Sequence, residues 1–266
     1  MFDTLKSRIY QGKQYIEDIE NAPMREQFRG FPKLNADVDT SCLEGVCPTG
    51  ALNLNPLSID MGKCTFCGAC RVNVVTGCRQ NCSSSVQDKQ GSAAVEFTNG
   101  YKLTSTSREK LIVTTESDYE NYVKSAVETK EEITKIFGRS LKLRQVSAAG
   151  CNGCEMELNA CSNVNFDMGR FGIDFVASPR HADGIVITGP ISENMAYALE
   201  DCYKSVPDPK LVILCGACAI SGGVFQQSSK LNREFLEKYP IDLYIPGCPV
   251  HPLTFINGVL SYIKSK

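Results

Sequence analysis

The sequence has no tryptophan and only two histidines, and its 28 Lys and Arg against 30 Asp and Glu leave a formal net charge of −2 over 266 residues. Two histidines exclude a His-rich zinc or non-haem iron centre. A nearly balanced charge gives no electrostatic footprint for nucleic acid, so none is expected as a partner. No stretch approaches the ~18 consecutive apolar residues of a membrane span. The first twenty residues, "MFDTLKSRIYQGKQYIEDIE", mix charge with scattered apolar side chains and lack the apolar run of an export signal. These absences predict a cytoplasmic chain. Its 42% apolar and 22% charged content is ordinary for a soluble protein able to bury one large core or two modest ones.

Against this background, fourteen cysteines are anomalous. Without an export signal they are read as reduced thiols, and reduced thiols at tight spacings point to soft-metal chemistry: iron-sulfur clusters or thiolate zinc. They occupy two territories, Cys42 to Cys82 and Cys151 to Cys248, with none between residues 83 and 150. The gap predicts a first domain over residues 1–100, a connector over 101–138 and a second domain over 139–266. Near the boundary, "AAVEF" and "YKLTS" predict a hairpin across "TNG". "SDYENYVKSAVETKEEITKIFG" predicts a helix capped by Ser117 or Asp118 and ending at Gly138.

From residue 141 the pattern alternates strand and helix. "LKLRQVS", "ADGIVITG", "KLVILCG" and "IDLYIPG" read as strands, while "EMELNACSNV", "SENMAYALEDCYKSV", "NREFLEKY" and "PLTFINGVLSYIK" read as helices. Such an order predicts a parallel sheet with crossover helices and ligand loops at the carboxyl ends of its strands. Cys151 and Cys154 follow the first strand, Cys218 the third and Cys248 the last. Four thiols from three loops are therefore expected to converge as one four-ligand site, with nearby glycines giving tight turns and free amides. Cys161, Cys202 and Cys215 fall inside helices or an apolar strand and are read as small core residues.

In the first half, "KCTFCGAC" supplies Cys64, Cys67 and Cys70, and "VCPTGAL" supplies Cys47 before a proline. Two C-x2-C-x2-C-x3-C-P runs bind two 4Fe-4S clusters, the fourth cysteine of each run serving the other run's cluster. Cys47 is thus the expected partner of Cys64, Cys67 and Cys70, with a structural zinc site as the competing reading. The frame places the other cluster's ligands at Asp37, Thr40, Leu43 and Val74, and none of these is cysteine. One cluster is therefore expected here, with Cys42, Cys78 and Cys82 left as a rearranged three-thiolate site or as free thiols.

"GRSLKLRQVSAAGCNGCEMEL", "FVASPRHADGIVITGPISENM", "CGACAISGG" and "PGCPVHPLTFINGVL" closely resemble the small subunit of membrane-bound group 4 NiFe hydrogenases and formate hydrogenlyase, and the related B-type subunit of respiratory complex I. The resemblance covers about residues 138 to 264. It implies one 4Fe-4S cluster on Cys151, Cys154, Cys218 and Cys248. The fold it implies is α/β, with a parallel-sheet, flavodoxin-like cluster domain preceded by a small α+β ferredoxin-like domain. By the same resemblance the chain is an electron-transfer subunit with two 4Fe-4S clusters, no nickel and no catalytic residue of its own. Its partners would be a hydrogenase-like large subunit, other iron-sulfur and membrane subunits, and a redox donor or acceptor such as ferredoxin. That arrangement places it on the inner face of the membrane.

Complex I has adjacent cysteines in the first motif, and C-N-G-C here favours the hydrogenase side. Val250 stands where a second proline is common, a change expected to alter packing rather than ligation. Arg170, Arg180 and His181 are read either as cations near the cluster edge or as an exposed polar turn. Glu155 and Glu157 are read either as a proton path or as first-turn acids favoured by the helix dipole.

Overall fold

A computed structural model of the chain describes residues 2–38, 40–71, 93–128 and 140–264. Its first half is built from short pieces. Helix α1 (Phe2–Gln11) buries no side chain; strands β1 (Pro32–Leu34), β2 (Leu52–Leu54), β3 (Leu57–Asp60), β4 (Val95–Phe97) and β5 (Ile112–Thr114) follow, then helix α2 (Tyr119–Ser125). Strands β2, β3 and β5 form an antiparallel sheet in that order, and β1 pairs antiparallel with β4.

The hairpin expected across "TNG" is not formed. Val95–Phe97 pairs with Pro32–Leu34 instead, and Tyr101 to Thr104 take no strand conformation. The reason is a long-range partner: the turn's polar groups are spent on Phe31, whose carbonyl accepts from the Thr98 amide (2.9 Å) and hydroxyl (2.9 Å) and whose amide donates to Gly100 O (2.8 Å). Phe31 is thereby seated, 2% exposed, in the core. Asp118 caps α2 as expected, accepting from the Glu120 and Asn121 amides at 3.1 and 3.2 Å. That helix ends at Ser125, and residues 129–139 lie outside the described residues.

The second half carries β6 (Leu141–Ser147), α3 (Gly153–Ala160), β7 (Ile173–Phe175), β8 (Gly184–Thr188), α4 (Glu193–Ser205), β9 (Leu211–Cys215), α5 (Ala217–Ser221), α6 (Glu234–Lys238), β10 (Leu243–Ile245) and α7 (Pro252–Lys264). The five strands form one sheet, all parallel, in the order β7-β6-β8-β9-β10. Counted from β6, this is the flavodoxin-like order 2-1-3-4-5. Every residue of β8 and β9 is buried, because a parallel sheet is covered on both faces. Strand alternation sends Ile185 and Ile187 into one core and Val186 into the other.

The first of those cores runs on into the amino-terminal half, through Phe31, Ile59, Met61 and Leu111. Leu43, at one frame position of the missing cluster, lies in this core at 1% exposure. The second core takes in Ile19 and Ala22 from the amino-terminal extension, held where Asn257 Nδ2 donates to Ile19 O (2.9 Å). Segments from both halves therefore pack against the parallel sheet.

Candidate metal centre

Cys47, Cys64, Cys67 and Cys70 line one pocket together with Ala51, Leu52, Ile59 and Phe97. Two loops bring them there, and Thr49 Oγ1 ties the loops by donating to Lys63 O at 2.8 Å. Backbone amides turn toward the sulfurs: Ala51 N–H donates to Cys47 Sγ at 3.2 Å and Phe66 N–H to Cys64 Sγ at 3.3 Å. Burial raises the Cys64 thiol to about 12 and the Cys70 thiol to about 11. Burial pushes the Cys47 thiol up too, but amide donors from Thr49, Leu52 and Ala51 outweigh it and hold that thiol below its ordinary value. Val74, Cys78 and Cys82, and the side chain of Cys42, lie outside the described residues.

The second set forms at the carboxyl edge of the parallel sheet. Cys151 is exposed in the loop after β6, Cys154 opens α3, Cys218 lies in α5 just past β9, and Cys248 is exposed after β10. The Cys218 thiol is pushed up to about 12 by burial, then by Cys248, Cys154 and Cys151, so the four thiols lie within one another's fields. Gly216, at φ +95°, is where the backbone comes closest: a Cβ there would sit 2.6 Å from Cys154 Sγ. Gly223 plays the same part for Cys218, with a Cβ position 2.8 Å from its sulfur.

Cys215 is fully buried at the end of β9, as a core residue should be, but its thiol also donates to Cys154. That hydrogen bond, ahead of opposing burial and of a bond from the Val250 amide, brings the Cys154 thiol below its ordinary value. Sequence reasoning missed both donors. Val250 is buried at 1% exposure, and a proline in its place would have no amide hydrogen to give.

The acids and cations near these loops divide by packing. Glu155 is 7% exposed, and its Oε1 accepts from Ser147 Oγ at 2.6 Å and Thr188 Oγ1 at 2.7 Å, joining α3 to the ends of β6 and β8. Glu157 is half-buried, and burial raises its carboxyl. Arg170 donates to Ile16 O and stacks over Tyr15 and Phe171, their centroids 5.0 and 4.6 Å away, so it fastens the amino-terminal extension. Arg180 and His181 are exposed in the turn leading into β8, away from the carboxyl ends of the strands.

The two thiol sets approach each other. The Cys248 thiol is raised by burial, by Cys154 and Cys151, and also by Cys67 of the first set. Phe66 and Cys248 line one cavity of about 200 Å³ with Arg29 and His251. Gln226 Nε2 adds a tie across the halves, donating to Thr49 O at 3.0 Å. Among the described residues no three His, Cys, Asp or Glu side chains stand as a single metal ion requires. The donor sets consist of thiols with amides aimed at their sulfurs, and this suits thiolate-held iron-sulfur clusters, in which each cysteine takes a different iron.

The family model described as NADH ubiquinone oxidoreductase, 20 Kd subunit, matches residues 151–262, a range that includes Cys151, Cys154, Cys218 and Cys248. The probable membrane-bound hydrogenase subunit mbhJ of Pyrococcus furiosus is 38% identical over 129 residues, which are 48% of this chain and 77% of that protein. The B-type subunit of the F(420)H(2) dehydrogenase of Methanosarcina mazei is 40% identical over 149 residues, 56% of this chain and 78% of its own length. Formate hydrogenlyase subunit 7 of Escherichia coli is 40% identical over 134 residues, 50% of this chain and 52% of that protein, about half its length. With the four cysteines inside the matched range and a relative covered over most of its length, this chain belongs to the family of the 20 kDa subunit of NADH ubiquinone oxidoreductase.

Proposed function

We propose that this chain is the electron-transfer subunit of a membrane-associated group 4 NiFe hydrogenase or formate hydrogenlyase-type complex, relaying electrons through two 4Fe-4S clusters to or from an active site in a partner large subunit. The observation that carries this reading is the convergence of Cys151, Cys154, Cys218 and Cys248 at the strand ends, within the range the family model matches. Cys47, Cys64, Cys67 and Cys70 hold the other cluster, in a ferredoxin-like domain over residues 1–100 joined by a connector to the domain of residues 139–266. When bound, such clusters supply one-electron redox chemistry.

The chain's own residues exclude water, point amides at sulfur and set the distance between the two sites. Phe66, the neighbour of Cys67 in the chain, and Cys248 line one cavity, which supports a route between the two sites that leaves the first set at Cys67 and enters the second at Cys248. Met156 and Val224, 66% and 60% exposed beside the ligand loops, offer an apolar surface to the large subunit. No described helix is long and apolar enough to cross a membrane, so membrane attachment is assigned to partner subunits. An electron donor or acceptor such as ferredoxin meets the first site.

A second reading, the same relay in a nickel-free complex I-like oxidoreductase, is favoured by the family model's own description and by the dehydrogenase relative. The C-N-G-C spacing favours the first reading, and a zinc-stabilised module is the least supported. Metal analysis of the native complex, extracted anaerobically through a tag on this chain, separates them. Nickel at about one per chain is expected; iron without nickel in a complex that retains its large subunit would move the assignment to the second reading, and zinc without iron would overturn both.

A further inference from the structure

Arg233, between α5 and α6, is half-buried and spends its guanidinium on backbone alone. Nη1 donates to Pro190 O at 3.1 Å and Cys218 O at 3.3 Å, and Nη2 to Ala219 O at 2.8 Å and Ile220 O at 2.9 Å. These carbonyls belong to the short helix that carries Cys218 and to the loop after β8. A guanidinium there satisfies the Ala219 and Ile220 carbonyls that the end of the helix leaves open and adds a second donor to Cys218 O, which already accepts the Gly222 amide at 2.8 Å. Its charge is a separate matter. Among the described residues no carboxylate forms an ion pair with Arg233. Arg108, the other cation whose field reaches it, is already neutralised by Asp60, with contacts of 2.8 and 2.5 Å. Arg233 thus brings an uncompensated positive charge, incompletely screened by solvent, onto the backbone of a thiol in the second set.

We infer that Arg233 is a positioning and potential-setting residue for the carboxyl-terminal site. Its forked hydrogen bonds fix the Cys218 backbone, and its charge favours the state that holds one more electron, raising the midpoint potential. Reduction here adds one electron and moves no proton. The inference rests on the reading that Cys151, Cys154, Cys218 and Cys248 hold a 4Fe-4S cluster.

The test is an EPR-monitored redox titration of the anaerobically purified complex carrying the natural chain, Arg233→Lys, Arg233→Gln or Arg233→Met. The amino-terminal signal serves as the internal reference. In Arg233→Gln and Arg233→Met the oxidised-to-reduced ratio of the second cluster at a fixed potential should rise at least tenfold, a fall of about 59 mV for a one-electron couple. Arg233→Lys, which keeps the charge, should stay within threefold of the natural chain. If Arg233→Met loses the cluster, Arg233→Gln, which can still donate to a carbonyl, carries the comparison. An unchanged ratio in the neutral variants, or an equal change in Arg233→Lys and Arg233→Gln, overturns the inference. Absence of a second cluster signal in the natural chain would instead overturn the reading on which it rests.

Discussion

At the sulfur of Cys154 two donors meet that no ligand motif encodes: the thiol of Cys215 and the amide of Val250. "LVILC" marks Cys215 as a core residue, and the structure leaves it fully buried, but only the register of β9 against its neighbours turns its thiol toward a ligand. Val250 carries the same lesson, since a substitution expected to matter for packing also supplies a hydrogen that proline lacks. Glu155 is legible as an acid in the first turn of a helix; its seat between two hydroxyls depends on Ser147 and Thr188 ending adjacent strands opposite each other. Removing one of those donors leaves a buried carboxyl short of a partner. Thr188→Val should lower the unfolding free energy measured in urea by about 1–3 kcal/mol. An unchanged midpoint and slope would mean that Ser147 alone satisfies the carboxyl.

Elements place the thiols, and here the sequence is most informative. The alternation of strand and helix from residue 141 onward specifies β6, β8, β9 and β10 and the helices after them; β8 and β9, buried throughout, read as continuous apolar runs, and β6, only partly buried, mixes apolar with polar positions. Strand β7 is not legible in that pattern: "IDF" has three residues, follows a glycine-flanked turn and joins the sheet only at its edge, by pairing Ile173–Phe175 with Leu141–Leu143 of β6. The "TNG" hairpin fails for a related reason, since a long-range partner, Phe31, claims the turn's hydrogen bonds. Within the ligand loops, the turn at Gly216 is the most demanding element. A methyl there would have to share 2.6 Å with Cys154 Sγ, at a φ of +95° that L side chains rarely adopt. Gly216→Ala should therefore halve the iron bound per chain while leaving all eight proposed ligands in place. Full iron content in that variant would show that the loop gives way at little cost.

On the scale of the whole molecule, the two thiol territories are visible in the sequence as a cysteine-free gap, but their proximity is not. The loops that carry Cys67 and Cys248 come together only because both halves pack on one sheet, with Phe66 and Cys248 lining one cavity and the Gln226 to Thr49 bond crossing between the halves. Buried hydroxyls and thiols outside the ligand sets give this packing a pH signature. Burial raises the Tyr101 phenol to about 12, pushes Tyr122 further up, and lifts the Cys161 thiol, which Glu157 also opposes, to about 12. The folded chain keeps these protons where the unfolded chain, with ordinary values near 10 and 8.5, gives them up. Fewer protons on the unfolded state make stability fall as pH rises, so this contribution is complete below about pH 8 and is lost between about pH 9 and 12. The melting temperature should drop steadily from pH 8 to pH 11, and a flat or rising profile would contradict the burial of these groups.

The central claim is that the chain holds two iron-sulfur clusters, and the most direct test is iron and acid-labile sulfide on the anaerobically purified protein, read beside its visible spectrum. Two 4Fe-4S clusters require about eight irons and about eight sulfides per chain, in a brown protein that bleaches on reduction. A colourless protein with zinc in stoichiometric amount and no labile sulfide would contradict the account.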